Sequence, residues 1–267
     1  MRIEGRDDDA GHGEGALKLV LLPGMDGTGV LFRPLVDALP PELEPIVVAY
    51  PTDEPLSYAE LLPLVRRSLP AGGDFIVLGE SFSGPLALSV AAEDPPGLAG
   101  VVLAGSFVAN PIRSLPAWAG VLSRPWLFRL VPTTFRRWNS LGLRVRPELR
   151  ALFAEAQAPV RPAVWALRGR EILAVDARPT LKACPVPVLY LSGRRDRIVR
   201  AHNLELIRRL RPDIQVVALD APHLLLQTAP SAAAAAISAF ASGVRSCTIG
   251  VTDPPLPRIP PRPGQVT

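Results

Sequence analysis

The sequence predicts an α/β fold, a mostly parallel sheet of about six recognisable strands flanked by helices and carrying one helical insertion. Two observations predict it. Apolar, β-branched runs of strand length alternate with helix-length segments, the pattern of repeated βαβ units. The alternation then breaks once, between about 110 and 182, where no convincing strand can be drawn.

The first sixteen residues are polar and glycine-rich and read as a loose arm. Leu17 to Leu22 is an apolar run stopped by Pro23-Gly24, a strand buried on both faces. Val30 to Leu39 can form a helix, which Pro34 makes start late or bend. Pro45 to Tyr50 reads as a second strand and Tyr58 to Leu69 as a helix with Leu61, Leu62 and Val65 on one side. Phe75 to Leu78 is a third strand, Pro85 to Glu93 an alanine-rich helix, and Leu98 to Leu103 a fourth strand. Beyond the break come a strand at Val186–Leu191, a helix at Ala201–Leu210, a strand at Ile214–Leu219 and a closing helix at Ser231–Phe240. The core is therefore expected at 17–109 and 183–243, with 110–182 inserted. The proline-rich tail, 246–267, is expected to be disordered or extended.

Composition bounds the rest. The chain has 267 residues, 48% of them hydrophobic, enough for one medium domain with a sizeable core. The N-terminus has no apolar signal segment, and Cys184 and Cys247 show no metal-ligand spacing. A cytoplasmic protein without a metal or other cofactor is expected. Charge is uneven: 110–170 carries eleven arginines against Glu148 and Glu155, +9 locally, while the whole chain is only +4. Without basic motifs interleaved with aromatic residues, nucleic acid is not an expected partner.

Chemistry-bearing residues fall just after the strands. Phe75–Leu78 runs into Gly79-Glu80-Ser81-Phe82-Ser83-Gly84, and a helix follows. A serine at such a tight strand-to-helix turn exposes its hydroxyl above the sheet, and its neighbours two positions away must be small. Gly79 meets that requirement, and Ser83 stands where a second glycine is usual. An ordinary turn with a capping serine fits the segment equally well.

Chain order separates the two readings. Asp196 follows the fifth strand and His223 the sixth, both at carboxyl ends, where ligand chemistry sits in open α/β sheets. A hydroxyl needs a base to become nucleophilic, imidazole suits that task near neutral pH, and a carboxylate fixes its tautomer. Asp196 alone could be a solvated partner of Arg194, Arg195 or Arg197, and Asp220 is the runner-up acid. After the first strand, Leu22-Pro23-Gly24-Met25-Asp26-Gly27-Thr28-Gly29 could supply an oxyanion donor. It has neither the Lys-Ser/Thr of a P-loop nor the spacing G-x-G-x-x-G. The backbone N–H groups of Met25 and Phe82 are the expected pair.

These residues together resemble the α/β-hydrolase superfamily over about 17–240. The Pro23-Gly24 loop is similar to the family's His-Gly oxyanion segment, and the Ser81 turn to its nucleophile elbow. The resemblance implies an eight-stranded core, of which six strands are recognisable, and a cap formed by 110–182. It implies hydrolysis of a carboxylic ester or thioester through an acyl-enzyme on Ser81, with His223 as base and Asp196 as orienting acid. Serine in place of aspartate argues against dehalogenase or epoxide-hydrolase chemistry. Ser83, and Pro222 before the histidine, depart from the family's pattern without removing a chemical group. An acyltransferase on the same triad, or a ligand-binding member without catalysis, is also compatible.

The cap's Trp118, Trp126, Trp138 and Trp165 suggest an apolar acyl pocket around a small-molecule ester, though such residues often serve packing alone. Arg136, Arg137, Arg144 and Arg146 are candidate contacts for an anionic carrier protein, an anionic substrate or a membrane surface. The alternative is an arginine-rich solvated helix face.

Overall fold

The computed structural model describes residues 16–112, 140–142 and 145–249. Six parallel strands form one sheet: β1 (Leu17–Leu22), β2 (Leu43–Val47), β3 (Phe75–Glu80), β4 (Leu98–Ala104), β5 (Val188–Gly193) and β6 (Gln215–Leu219). Their spatial order is β2-β1-β3-β4-β5-β6. The order reverses between β1 and β3, so the loops at their carboxyl ends diverge and open a crevice, the usual ligand position in such sheets.

Parallel pairing places helices on both faces, and the strand residues divide between them with a period of two. Val20, Leu22, Val77, Val101 and Tyr190 point to one side. There they meet α2 (Tyr58–Arg67), α3 (Gly84–Ala92), α6 (Arg178–Ala183) and α7 (Ala201–Leu210). Leu19, Leu21, Ile76, Leu78, Leu189 and Leu191 point to the other. That side is covered by α1 (Arg33–Val36), α8 (Leu225–Thr228) and α9 (Pro230–Ile249).

The expected elements are present with shifted ends, and two shifts have clear causes. β2 spans 43–47 rather than 45–50. It is an edge strand, so Pro45 can lie inside it without leaving a neighbour's carbonyl unpaired. Val48 to Tyr50 instead turn toward the β1 exit, where the Tyr50 N–H donates to Gly27 O at 2.7 Å. The closing helix α9 runs to Ile249, so the tail expected from Ser246 begins inside it. Ile237, Phe240, Ala241 and Val244 are all buried, and this 3–4 spacing continues the apolar stripe past Phe240.

The described part of 110–182 contains α4 (Pro147–Gln157), α5 (Pro162–Ala174) and α6, with one isolated bridge between Ala109 and Asp176. Leu149, Phe153 and Ala156 of α4 pack on Leu31 and on Leu224, the residue after His223. Arg33 donates to both carboxylate oxygens of Glu155, at 2.8 and 2.6 Å, tying α4 to α1 at the surface. Among the described residues, no helix is long and apolar enough to cross a membrane.

Candidate active site

Ser81 occupies a left-handed backbone conformation, φ 49°, between β3 and a single 3-10 turn, Ser81–Ser83, that leads into α3. A non-glycine residue there is strained, and the surrounding packing shows what holds it. A Cβ on Gly79 would lie 2.5 Å from Ser83 O and 2.8 Å from the Gly84 Cα, so only glycine lets the strand and helix close this tightly. The Ser106 hydroxyl donates to Ser81 O at 2.7 Å.

Ser83, the departure from the usual pattern, is fully buried. Its hydroxyl donates to Pro23 O, which leaves its oxygen to accept from Tyr50 Oη at 2.8 Å. The substitution thus joins the Ser81 turn to the β1 exit through two buried bonds.

Ser81 Oγ is 2.9 Å from His223 Nε2, and His223 Nδ1 is 2.8 Å from Asp196 Oδ2. The other Asp196 oxygen accepts the N–H groups of Ile198 and Val199 at 2.8 and 2.9 Å. Those bonds fix the carboxylate plane, so Oδ2 faces the imidazole. His223 and Asp196 are both buried, with side chains 6% and 4% exposed. Burial by itself depresses the imidazolium. The Asp196 charge, its hydrogen bond and the more distant Glu80 outweigh it, and the His223 pKa ends above its ordinary value.

The other candidates separate. Asp220 is exposed and pairs with Arg195 at 2.9 Å, away from the histidine. His202 contacts Pro111 O at 3.1 Å. Arg146 is exposed at the start of α4. Trp165 is half-buried on α5, while Arg136, Arg137, Arg144 and the other three tryptophans lie outside the described residues.

Met25 follows β1 and Phe82 follows β3, the two strands between which the strand order reverses. Phe82 is the second residue of the turn opening α3, a position whose N–H has no acceptor inside a helix. Met25 lies in the turn Gly24–Gly27, closed by the Gly27 N–H donating to Gly24 O at 3.0 Å. Behind this turn is a polar layer that sequence reading did not single out. Glu80, Asp26, Gln227 and Arg168 are all buried. Glu80 Oε1 accepts from Gln227 Nε2 at 2.9 Å, and Asp26 Oδ1 accepts from the Thr28 N–H and hydroxyl at 2.9 and 2.5 Å. The only available signal was a charged residue ending a fully buried strand.

Glu80 carries a pH prediction. Burial is the main cause that pushes its carboxyl up to about 7; Gln227, His223 and the Gly24 N–H oppose it, and Asp26 reinforces it. The folded chain therefore holds this proton more tightly than the unfolded chain. The resulting stability is complete below the ordinary carboxylate range and is lost as pH rises through about 7. At about 1.4 kcal/mol per pKa unit, the loss attributable to Glu80 is at most about 3.5 kcal/mol. Urea midpoints at pH 5.5 and 8 should fall for the native chain and fall less for E80Q, with His223 accounting for the remainder.

The profile of the alpha/beta hydrolase family matches residues 19–237, most of the chain. The chain belongs to this family. The pimeloyl-[acyl-carrier protein] methyl ester esterase of Xanthomonas axonopodis pv. citri (strain 306) is 31% identical over 231 residues. That match covers 79% of this α/β-hydrolase and 88% of the relative. The protein of the same name from Xanthomonas campestris pv. campestris (strain B100) is 28% identical over 235 residues, 80% and 88% of the two chains. Among solved structures, an esterase from Exiguobacterium antarcticum superposes with a TM-score of 0.73 at 14% identity, covering 87% of this chain and 93% of its own. This last likeness is one of fold.

Proposed function

We propose that this α/β-hydrolase cleaves carboxylic esters through an acyl-enzyme on Ser81. The observation that carries the reading is the continuous hydrogen-bonded line from Ser81 Oγ through His223 to Asp196. Ser81 Oγ attacks the ester carbonyl carbon while its proton passes to His223 Nε2. The N–H groups of Met25 and Phe82 receive the oxyanion, and Asp196 stabilises the imidazolium. Collapse expels the alcohol, which takes the proton from His223. Water, activated by the same imidazole, then attacks the acyl carbon and releases the acid.

For the substrate we favour an acyl ester borne on an acidic carrier protein. Two relatives name a methyl ester on an acyl-carrier protein as their substrate. The insertion at 110–182, read as the cap, concentrates the chain's positive charge in sequence, and its described helix α4 packs on Leu224, the residue after His223. The test compares a methyl ester on a carrier-linked acyl chain with p-nitrophenyl esters of increasing acyl length. Replacing Arg136, Arg137, Arg144 and Arg146 together by glutamine should raise KM for the carrier-linked ester on the order of tenfold, since exposed charge pairs contribute up to about 1 kcal/mol each. Neutral short esters should be unaffected. Equal changes for both classes would remove the carrier from the proposal and leave ester hydrolysis standing.

A further inference from the structure

Arg168 is 1% exposed, unlike a solvated arginine of a basic helix face. It lies on α5, yet its guanidinium reaches the turn at the β1 exit. Nη1 donates to Met25 O at 2.9 Å and to Asp26 O at 2.8 Å, and Nη2 donates to Pro51 O at 2.9 Å. Met25 and Asp26 are the two central residues of the Gly24–Gly27 turn, and both their carbonyls accept from Nη1 while the other arm of the guanidinium anchors on Pro51. The guanidinium carbon also lies 5.9 Å from the centre of the Phe82 ring and 5.7 Å from that of Tyr50, within cation–π range. One buried cation therefore touches both residues whose N–H groups face the oxyanion in the reading above.

The packing around it is specific. At Gly27, φ +76°, an added Cβ would lie 2.5 Å from Nη1, so the turn has no side chain where the guanidinium sits. Burying a full charge against neutral carbonyls is costly, and an apolar residue would fill the same volume without that cost. The guanidinium does what an apolar residue cannot: through the Met25 and Asp26 carbonyls it fixes the Met25–Asp26 and Asp26–Gly27 peptide units. The Met25 N–H belongs to the preceding unit, Gly24–Met25, which joins the fixed pair at the Met25 Cα and whose carbonyl accepts the Gly27 N–H; a shift of the fixed pair therefore turns that N–H out of line, and small misplacements of reacting groups cost large factors in rate.

We propose that Arg168 is a positioning residue for the oxyanion hole, locking the Gly24–Gly27 turn so that the Met25 N–H meets the developing oxyanion. The inference rests on the esterase reading and adds to it a contribution from the inserted segment to the floor of the site. A substrate with sulfur in place of the carbonyl oxygen isolates this role, because sulfur is a weak hydrogen-bond acceptor. A p-nitrophenyl ester and its thiono analogue are compared in the native chain, R168M and R168K.

R168M should lower kcat for the oxygen ester about 10- to 100-fold, up to the cost of a misplaced reacting group and short of outright loss of an oxyanion donor, with KM nearly unchanged. The thiono ester should lose much less, so the oxygen-to-sulfur ratio of kcat collapses. R168K, which keeps the charge but not the fork, should fall between. If R168M does not fold, R168K and G27A, which presses a methyl on Nη1, carry the same readout. An unchanged ratio in folded variants overturns the inference. The esterase reading fails separately, through persistent turnover in S81A.

Discussion

Turnover of p-nitrophenyl esters should fall about 10⁶-fold in S81A, the scale seen when a nucleophile is removed from a triad that works as a unit. The expectation follows from geometry. The hydroxyl is held 2.9 Å from the base on a backbone of φ 49°. Alanine keeps that backbone and loses the attacking oxygen. Fold and melting temperature should change little, because Gly79, Ser83 and Ser106 hold the turn through contacts that do not involve the Ser81 side-chain oxygen. Steady-state kinetics on protein with a native circular dichroism spectrum checks this. Activity within tenfold of the native chain would place the chemistry elsewhere.

The second large effect is expected of D196N, a loss of kcat of about 10⁴ near neutral pH. The argument is one of donors and acceptors. One Asp196 oxygen already receives the N–H groups of Ile198 and Val199. In asparagine that position must be the amide oxygen, which leaves the NH₂ group facing His223 Nδ1. The amide donates, so Nδ1 must accept, and the proton moves to Nε2, the nitrogen that should take the Ser81 proton. The same substitution removes the charge that holds the His223 pKa above its ordinary value. The acid limb of the kcat/KM profile should therefore move to lower pH in the variant. A pH–rate series on both proteins tests both parts together.

The three residues that meet in the candidate site were legible because each lies at or just beyond the end of a strand: Ser81 after β3, Asp196 after β5 and His223 after β6. Strand-sized apolar runs are strong signals in a sheet buried on both faces, and a βαβ alternation leaves little freedom in how they are ordered in the chain. The edge strand starts two residues earlier than expected because Pro45 looks like a strand boundary, whereas at an edge it is tolerated inside. Arg168 was counted with the basic segment, since an arginine on a helix reads the same whether its guanidinium meets water or three carbonyls. Glu80 and Asp26 were likewise invisible as a buried pair: they come from opposite sides of the reversal in strand order, and nothing local brings 26 next to 80. Ser83 shows the converse case. It broke the expected pattern, and its two buried bonds explain why a hydroxyl is present at that position.

Peptide mapping after reaction with a fluorophosphonate tests the convergence of Ser81, His223 and Asp196 most directly. One adduct per chain is expected, on the Ser81 peptide, formed slowly or not at all in H223A. A fully active protein that takes no adduct, or takes it on another residue with Ser81 unmodified, would contradict the account.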